Sequence, residues 1–303
     1  MDAAREELVS LGALAVDEAC ALTERGRRMF GLPLDAHLGR LLVEAQAVGP
    51  QCLADACDLV AALAVDRPLF RVGPRPQEPD DDLRRAGCDA VALIRAVREG
   101  EPRHGLSDYA LGEARRTARR LRQAFGLPPN GGPGAIDRER LALTALAADP
   151  RCAHVLRRRK KWIKWSNGGT EIELGRESAI DMDAPDNDVE AIAVLGSRAL
   201  GVGKRDTRIV ATAAMPLRSS WMLRAGLGRD RLTETVTRKG RVLARVERVY
   251  ARKVLQVREE PPTGEIARQL VARLFLEGRL YAEQRTRDVA EERLRAAGLW
   301  ARL

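Results

Sequence analysis

Residues 11–40 read LGALAVDEACALTERGRRMFGLPLDAHLGR, and the punctuation of this stretch decides how the chain begins. Leu8, Val9, Leu11 and Leu14 recur at roughly helical spacing and predict a helix over 6–14, loosened or ended by Gly12. Thr23 is an N-cap for a short helix through Met29, and Glu24 sits in its first turn, where a carboxylate suits the positive end of the helix. Gly31 and Pro33 stop that helix, because proline disfavours helical backbone at the residue before it. Asp35 caps the next helix, whose Leu38, Leu41, Leu42 and Ala45 form an apolar stripe. Pattern alone describes a helix–turn–helix core that any small α-domain could hold.

Helices continue outward from this block. Residues 52–65 place Leu53, Ala56, Leu59, Val60 and Leu63 on one side and halt at Asp66-Arg67-Pro68. A Pro- and Asp-rich loop or hinge follows over 73–82. Residues 83–98 form a second amphipathic segment, ending at Gly100 and Pro102. A third runs over 106–125, setting Leu111, Ala114, Ala118 and Leu121 against Arg115, Arg116, Arg119, Arg120 and Arg122. GLPPNGGPGA, residues 126–135, is the clearest linker, and Asp137 caps one more helix over 138–148.

From Val155 the pattern changes to short β-like runs at 162–165, 170–174, 190–195 and 207–213, separated by turn residues such as Asn167-Gly168-Gly169 and 201–203. Several short strands with Gly turns predict a small barrel. Residues 242–257 add one or two strands, and helical runs at 265–277 and 285–297 close the chain.

Length and composition bound the function. A chain of 303 residues buries a good core and holds two to three domains. No run of about 18 apolar residues is present, and the N-terminus lacks a signal peptide's basic start and apolar core, so the reading is a soluble, cytoplasmic protein without membrane contact. The formal charge of +9 favours a polyanionic partner, with an Arg-rich coding bias as the competing source. Cys20, Cys52, Cys57, Cys88 and Cys152 are odd in number and never spaced Cys-x-x-Cys, which argues for reduced thiols over a disulfide framework or zinc ribbon.

No nucleotide-hydrolysing motif is found. Gly203-Lys204 comes nearest to a P-loop, but position 198 is Arg and Lys204 is followed by Arg205. Asp181, Asp183, Asp186 and Asp188 fail the calcium-loop pattern, with Pro185 and Asp186 where Asp or Asn and Gly are needed, and read as a solvated turn. His37, His104 and His154 have no flanking signature and read as structural or exposed.

The positive candidate is Arg157, Arg158, Arg159, Lys160, Lys161, Trp162, Lys164 and Trp165, followed by the Asn167 turn. Six basic residues can neutralise phosphates, and the tryptophans can stack on unpaired bases. The alternative is that the rings are core and the charges solvate a helix end. In a strand the two rings lie on opposite faces, so one at most stacks from a given side, and Trp165, beside Asn167, is the favoured one.

Leu-Gly-Ala-Leu at 11–14, Leu22-Thr23, Gly26-Arg27-Arg28-Met29 and Leu32-Pro33-Leu34-Asp35 resemble the winged-helix-to-ratchet connection of DEAH helicases. Residues 157–174 and 232–303 resemble the bacterial HrpB-type branch of ATP-dependent helicases. The resemblance implies an α+β multidomain chain: a winged-helix remnant (1–36), a helical ratchet bundle (37–130), an OB-like β-barrel (131–225) and a mixed C-terminal domain (226–303). It further implies a module that guides single-stranded RNA or DNA for an ATP-dependent motor. The motor motifs are absent from this sequence, so ATP and Mg would enter only through a separate helicase motor chain. A non-catalytic interaction module, or a remnant without independent activity, is the alternative.

Overall fold

The computed structural model describes residues 2–16, 20–70, 87–100, 105–132, 134–159, 162–182, 188–202, 206–238, 241–277, 288–293 and 295. It divides into two compact units, 1–227 and 228–303. Helices dominate the first part of the chain and strands the second.

The first helix, α1 (Asp2–Ser10), starts and ends earlier than its apolar spacing predicts. Gly12 takes a φ of +68°, and Leu14 then pairs with Leu22 in an isolated bridge, which pulls 11–14 out of the helix. The Thr23 cap is as expected: its Oγ1 accepts from Gly26 N at 2.9 Å, opening α2 (Glu24–Phe30). The same hydroxyl donates to Gly12 O at 2.7 Å, so one side chain ties the cap to the preceding turn. A Cβ at position 26 would collide with the Ala13 carbonyl, which is why glycine stands there. Asp35 caps α3 (Ala36–Val48) by accepting from His37 N.

Four helices complete the bundle: α4 (Pro50–Leu63), α5 (Asp89–Glu99), α6 (Asp108–Ala124) and α7 (Arg138–Ala148). α4 is the centre, packing on α3, α5, α6 and α7. Its Asp55 and Asp58 are buried and meet arginines from two neighbours. Arg98 of α5 donates to Asp55 and Asp58 at 2.6 Å each, and Arg122 of α6 donates to Asp58 at 2.6 and 2.8 Å and to Ala54 O at 3.1 Å. Burial pushes the Asp55 carboxyl above its ordinary range, against the pull of Arg98. The arginine row of α6 is thus split: Arg122 is internal, Arg115 donates to Val97 O and Gly100 O at the end of α5, and Arg116, Arg119 and Arg120 remain outside. The predicted 73–82 loop lies outside the described residues.

A single 3-10 turn (Pro150–Cys152) leads into five strands: β1 (Ala153–Arg159), β2 (Trp162–Ser166), β3 (Glu171–Leu174), β4 (Ala191–Val202) and β5 (Asp206–Leu217). They close into a barrel in the order β1-β2-β3-β5-β4, with β4 returning antiparallel to β1 and β3 parallel to β5. Trp165, Ile172, Ile180, Ile192, Ala211 and Ala214 fill its interior. The basic stretch at 157–159 is a strand of this barrel and not a helix end. β4 and β5 run farther than their apolar cores suggest, and Gly201, expected in a turn, lies within β4.

Asp89, at the start of α5, ties the bundle to the barrel. Its carboxylate accepts from Ala179 N at 2.5 Å, Ala214 N at 2.8 Å and Ser178 Oγ at 2.9 Å. A short helix, α8 (Ser219–Arg224), ends this unit.

The second unit is an antiparallel meander of β6 (Arg229–Arg238), β7 (Arg241–Tyr250) and β8 (Lys253–Glu260), followed by α9 (Gly264–Leu276), which packs on β6. Leu270 and Leu274 are buried, as are Ala244 and Val246. The strands expected over 242–257 are β7 and β8, and β6 precedes them as a strand the sequence reading did not give. Cross-strand pairs Arg231–Glu247 and Arg245–Glu234 alternate with the apolar residues and blur the strand pattern of β6. Among the residues expected in a last helix, 288–293 are helical.

Candidate nucleic-acid interface

The β1–β2 hairpin carries the basic–aromatic candidates, and its register sorts them. Leu156 opposes Trp165, Arg157 opposes Lys164, Arg158 opposes Ile163 and Arg159 opposes Trp162. Leu156, Ile163 and Trp165 belong to the barrel core, so the alternating positions 157, 162 and 164 lie on the outer face. Arg158 follows the inward alternation, but at the end of the strand, where it is exposed. The basic run is therefore two groups rather than one patch. Lys160 and Lys161 lie between the strands and outside the described residues, as does the side chain of Arg159.

The two tryptophans have opposite fates, and the favoured one is corrected. Trp165 is fully buried against Ile172 and Ile192 and cannot meet a base. Trp162 is 48% exposed. The Lys164 ammonium stands 4.5 Å from the Trp162 ring centroid, a cation–π arrangement. Asn167 is committed to the turn: its Oδ1 accepts from Gly169 N at 3.0 Å and Thr170 N at 2.8 Å, while its Nδ2 donates to Arg151 O at 2.9 Å. It shapes the turn between β2 and β3.

Sequence reading missed the acidic side of this surface. Glu171 and Glu173 alternate outward on β3, since Ile172 between them is core. Glu171 lies 3.5 Å from Lys164 Nζ, and Glu173 pairs with Arg208 of β5. Their signal was the Glu-Ile-Glu alternation itself, which reads as a strand and gives no hint of cross-strand partners.

A cleft of about 1240 Å³ opens at the other end of β1, lined by residues of α1, α3 and β4 together with Asp149, Arg151 and His154. His37 bridges Glu7 at 2.8 Å and Asp149 at 3.5 Å. The Asp149 hydrogen bond lifts the imidazole to about 9 despite partial burial, with Glu7 adding to the effect. Burial raises the Asp149 carboxyl, but bonds from His37 and Arg151 outweigh it and hold the group well below the usual carboxylate range. Burial lowers His154, whose Nδ1 faces Cys152 O at 2.9 Å. These are structural histidines, as expected; His104 is outside the described residues. Gly203-Lys204, Asp183 and Asp186 are outside them too, and among the described residues no three His, Cys, Asp or Glu side chains converge as metal ligands. No helix described is long and apolar enough to cross a membrane.

Parts of this chain are similar to known proteins in sequence, and the chain is similar to one in fold. Residues 35–125 match the helicase associated domain (HA2), ratchet-like. The chain is 36% identical over 85 residues to the probable ATP-dependent RNA helicase DHR2 of Saccharomyces cerevisiae, which covers 28% of this chain and 11% of the relative. It is 33% identical over 117 residues to the ATP-dependent RNA helicase HrpA of Escherichia coli, covering 36% of this chain and 9% of that one. The chain thus spans about a tenth of the length of these relatives. In fold, it resembles the E. coli DExH-box NTPase HrpB with a TM-score of 0.51 at 16% identity, over 91% of this chain and 28% of that structure. The chain therefore carries a ratchet-like helicase-associated domain at 35–125 and corresponds to a partial C-terminal region of the helicases it resembles.

Proposed function

We propose that this chain is the strand-guiding accessory module of an ATP-dependent RNA helicase, and that its barrel is an OB-like module whose outer β1–β2 face receives single-stranded nucleic acid. The observation that carries the reading is Trp162, exposed on the outer face of a closed five-stranded barrel with Arg157 and Lys164 registered on the same face. OB-type barrels bind oligonucleotides on their strand 2–3 face and on the loops joining strands 1–2 and 4–5. In this sequence those two connections hold Lys160-Lys161 and Gly203-Lys204-Arg205. Base stacking on an exposed ring is sequence-tolerant, and cations along the backbone bring salt dependence. The names of the relatives favour RNA over DNA.

Hydrolysis would belong to a motor on other residues or another chain, since no P-loop occurs here. ATP and Mg would bind there, in the cytoplasm, and the present chain would take no cofactor of its own. Fluorescence anisotropy with a labelled 12-mer oligouridylate tests the reading. Binding should weaken steeply with salt and should drop severalfold when Arg158, Lys160 and Lys161 become Ala. Affinity indifferent to salt and to that triple substitution rejects it.

A further inference from the structure

Strand β3 borders the proposed β1–β2 binding face and is acidic on its outer side. Order β1-β2-β3-β5 sets Arg157 and Lys164 to one side of it and Arg208 to the other. Glu171 reaches Lys164 and Glu173 reaches Arg208, so each carboxylate engages a cation that could otherwise face a phosphate. All four side chains are at least partly exposed, with Glu171 at 50% and Arg208 at 51%, so nothing in the core requires these pairs. Exposed ion pairs contribute little to folding. A carboxylate and a phosphate oxygen are interchangeable partners for an ammonium or guanidinium group.

We propose that Glu171 and Glu173 are built-in competitors of the nucleic-acid backbone, holding Lys164 and Arg208 in the free chain and keeping the strand loosely bound. The inference rests on the barrel face being the nucleic-acid contact. The Lys164 ammonium has two resting contacts, the Glu171 carboxylate and the Trp162 ring. An arriving strand offers replacements for both: phosphate for the cation and a base for the ring. A module that guides a moving strand gains from such exchange, because every phosphate it accepts must later be released.

A double-mutant cycle on the full chain tests this, read by anisotropy of a labelled 12-mer oligouridylate across a salt series. Changing Glu171→Gln with Glu173→Gln should tighten binding by about three- to tenfold near 0.1 M salt. It should also steepen the log–log salt slope by about 1.4, from two released cations at about 0.7 each on a single strand. In a Lys164→Gln/Arg208→Gln background the same glutamine changes should give less than half that gain in log affinity. Wild-type binding that the Glu-to-Gln pair leaves unchanged overturns the competitor role while leaving the barrel contact intact. An equal gain in both backgrounds also overturns it, since the effect would then be net charge alone. Absence of binding in every variant refutes the barrel contact and the competitor role together.

Discussion

At the scale of single residues, the account turns on the different burial of two tryptophans three positions apart. The period-2 rule placed them on opposite faces of a strand, and that was legible in the sequence. Which face would close over a core was not, because closure depends on β4 and β5, at least 26 residues farther along. Trp165→Ala should cost about 3–5 kcal/mol in urea unfolding, the usual range for emptying a large buried side chain. Trp162→Leu should change stability by no more than about 0.5 kcal/mol, as exposed substitutions do, while weakening oligouridylate binding.

Two titrating residues give predictions of defined sign. His37 is raised from 6.5 to about 9 in the folded chain. Its contribution is therefore fully present below pH 6.5 and lost as pH rises through 9. His37→Gln should lower the free energy of urea unfolding at pH 6, by about 1 kcal/mol or less given its exposure, and leave it unchanged at pH 10. Burial raises Asp89 from 3.8 to about 6, against hydrogen bonds from Ala179, Ala214 and Ser178. The folded chain thus holds a proton between pH 4 and 6 that the unfolded chain releases, and this component of stability is lost as pH rises through 6. Asp89→Asn should remove that pH-dependent component, and it should cost about 1–3 kcal/mol at pH 7 by presenting an amide to buried donors.

At the scale of elements, helix starts marked by a polar cap were legible, whereas the starts of α1 and α5 and the extents of the strands were not. The caps read at Thr23, Asp35 and Asp137 each accept from a backbone amide in the first turn that follows, a signal local to a few residues. Strands lack such markers. Gly196 and Gly201 look like breaks in sequence, yet both lie inside β4, and a register shift beside Gly196 absorbs the irregularity. The ion network of α4, α5 and α6 was equally hidden, since Asp58 and Arg122 are 64 residues apart. Thr23→Ala should cost about 0.5–2 kcal/mol through the lost α2 cap. Arg122→Met should cost about 3–5 kcal/mol, because it leaves the buried Asp58 short of a partner, and thermal unfolding would register the loss.

At the scale of the whole chain, the helicase-associated region was legible because its N-terminal motif block is dense, whereas the site was legible only as a list of charges. Folding divided that list into outer-face, rim, core and turn positions, and it added the glutamates of β3. The purified chain should show no nucleotide turnover in a coupled phosphate-release assay, with or without oligouridylate, because no P-loop is present.

If nucleic acid lies across the outer face of the barrel hairpin, as proposed, it should be capturable there covalently. Photocrosslinking of a 4-thiouridine-substituted 12-mer to the full chain, followed by peptide mapping, tests that proposal most directly. Crosslinks should concentrate on residues 153–174 and fall sharply in the Trp162→Leu variant. Crosslinks confined to the α3–α7 bundle or to residues 228–303, and unaffected by that substitution, would contradict the account.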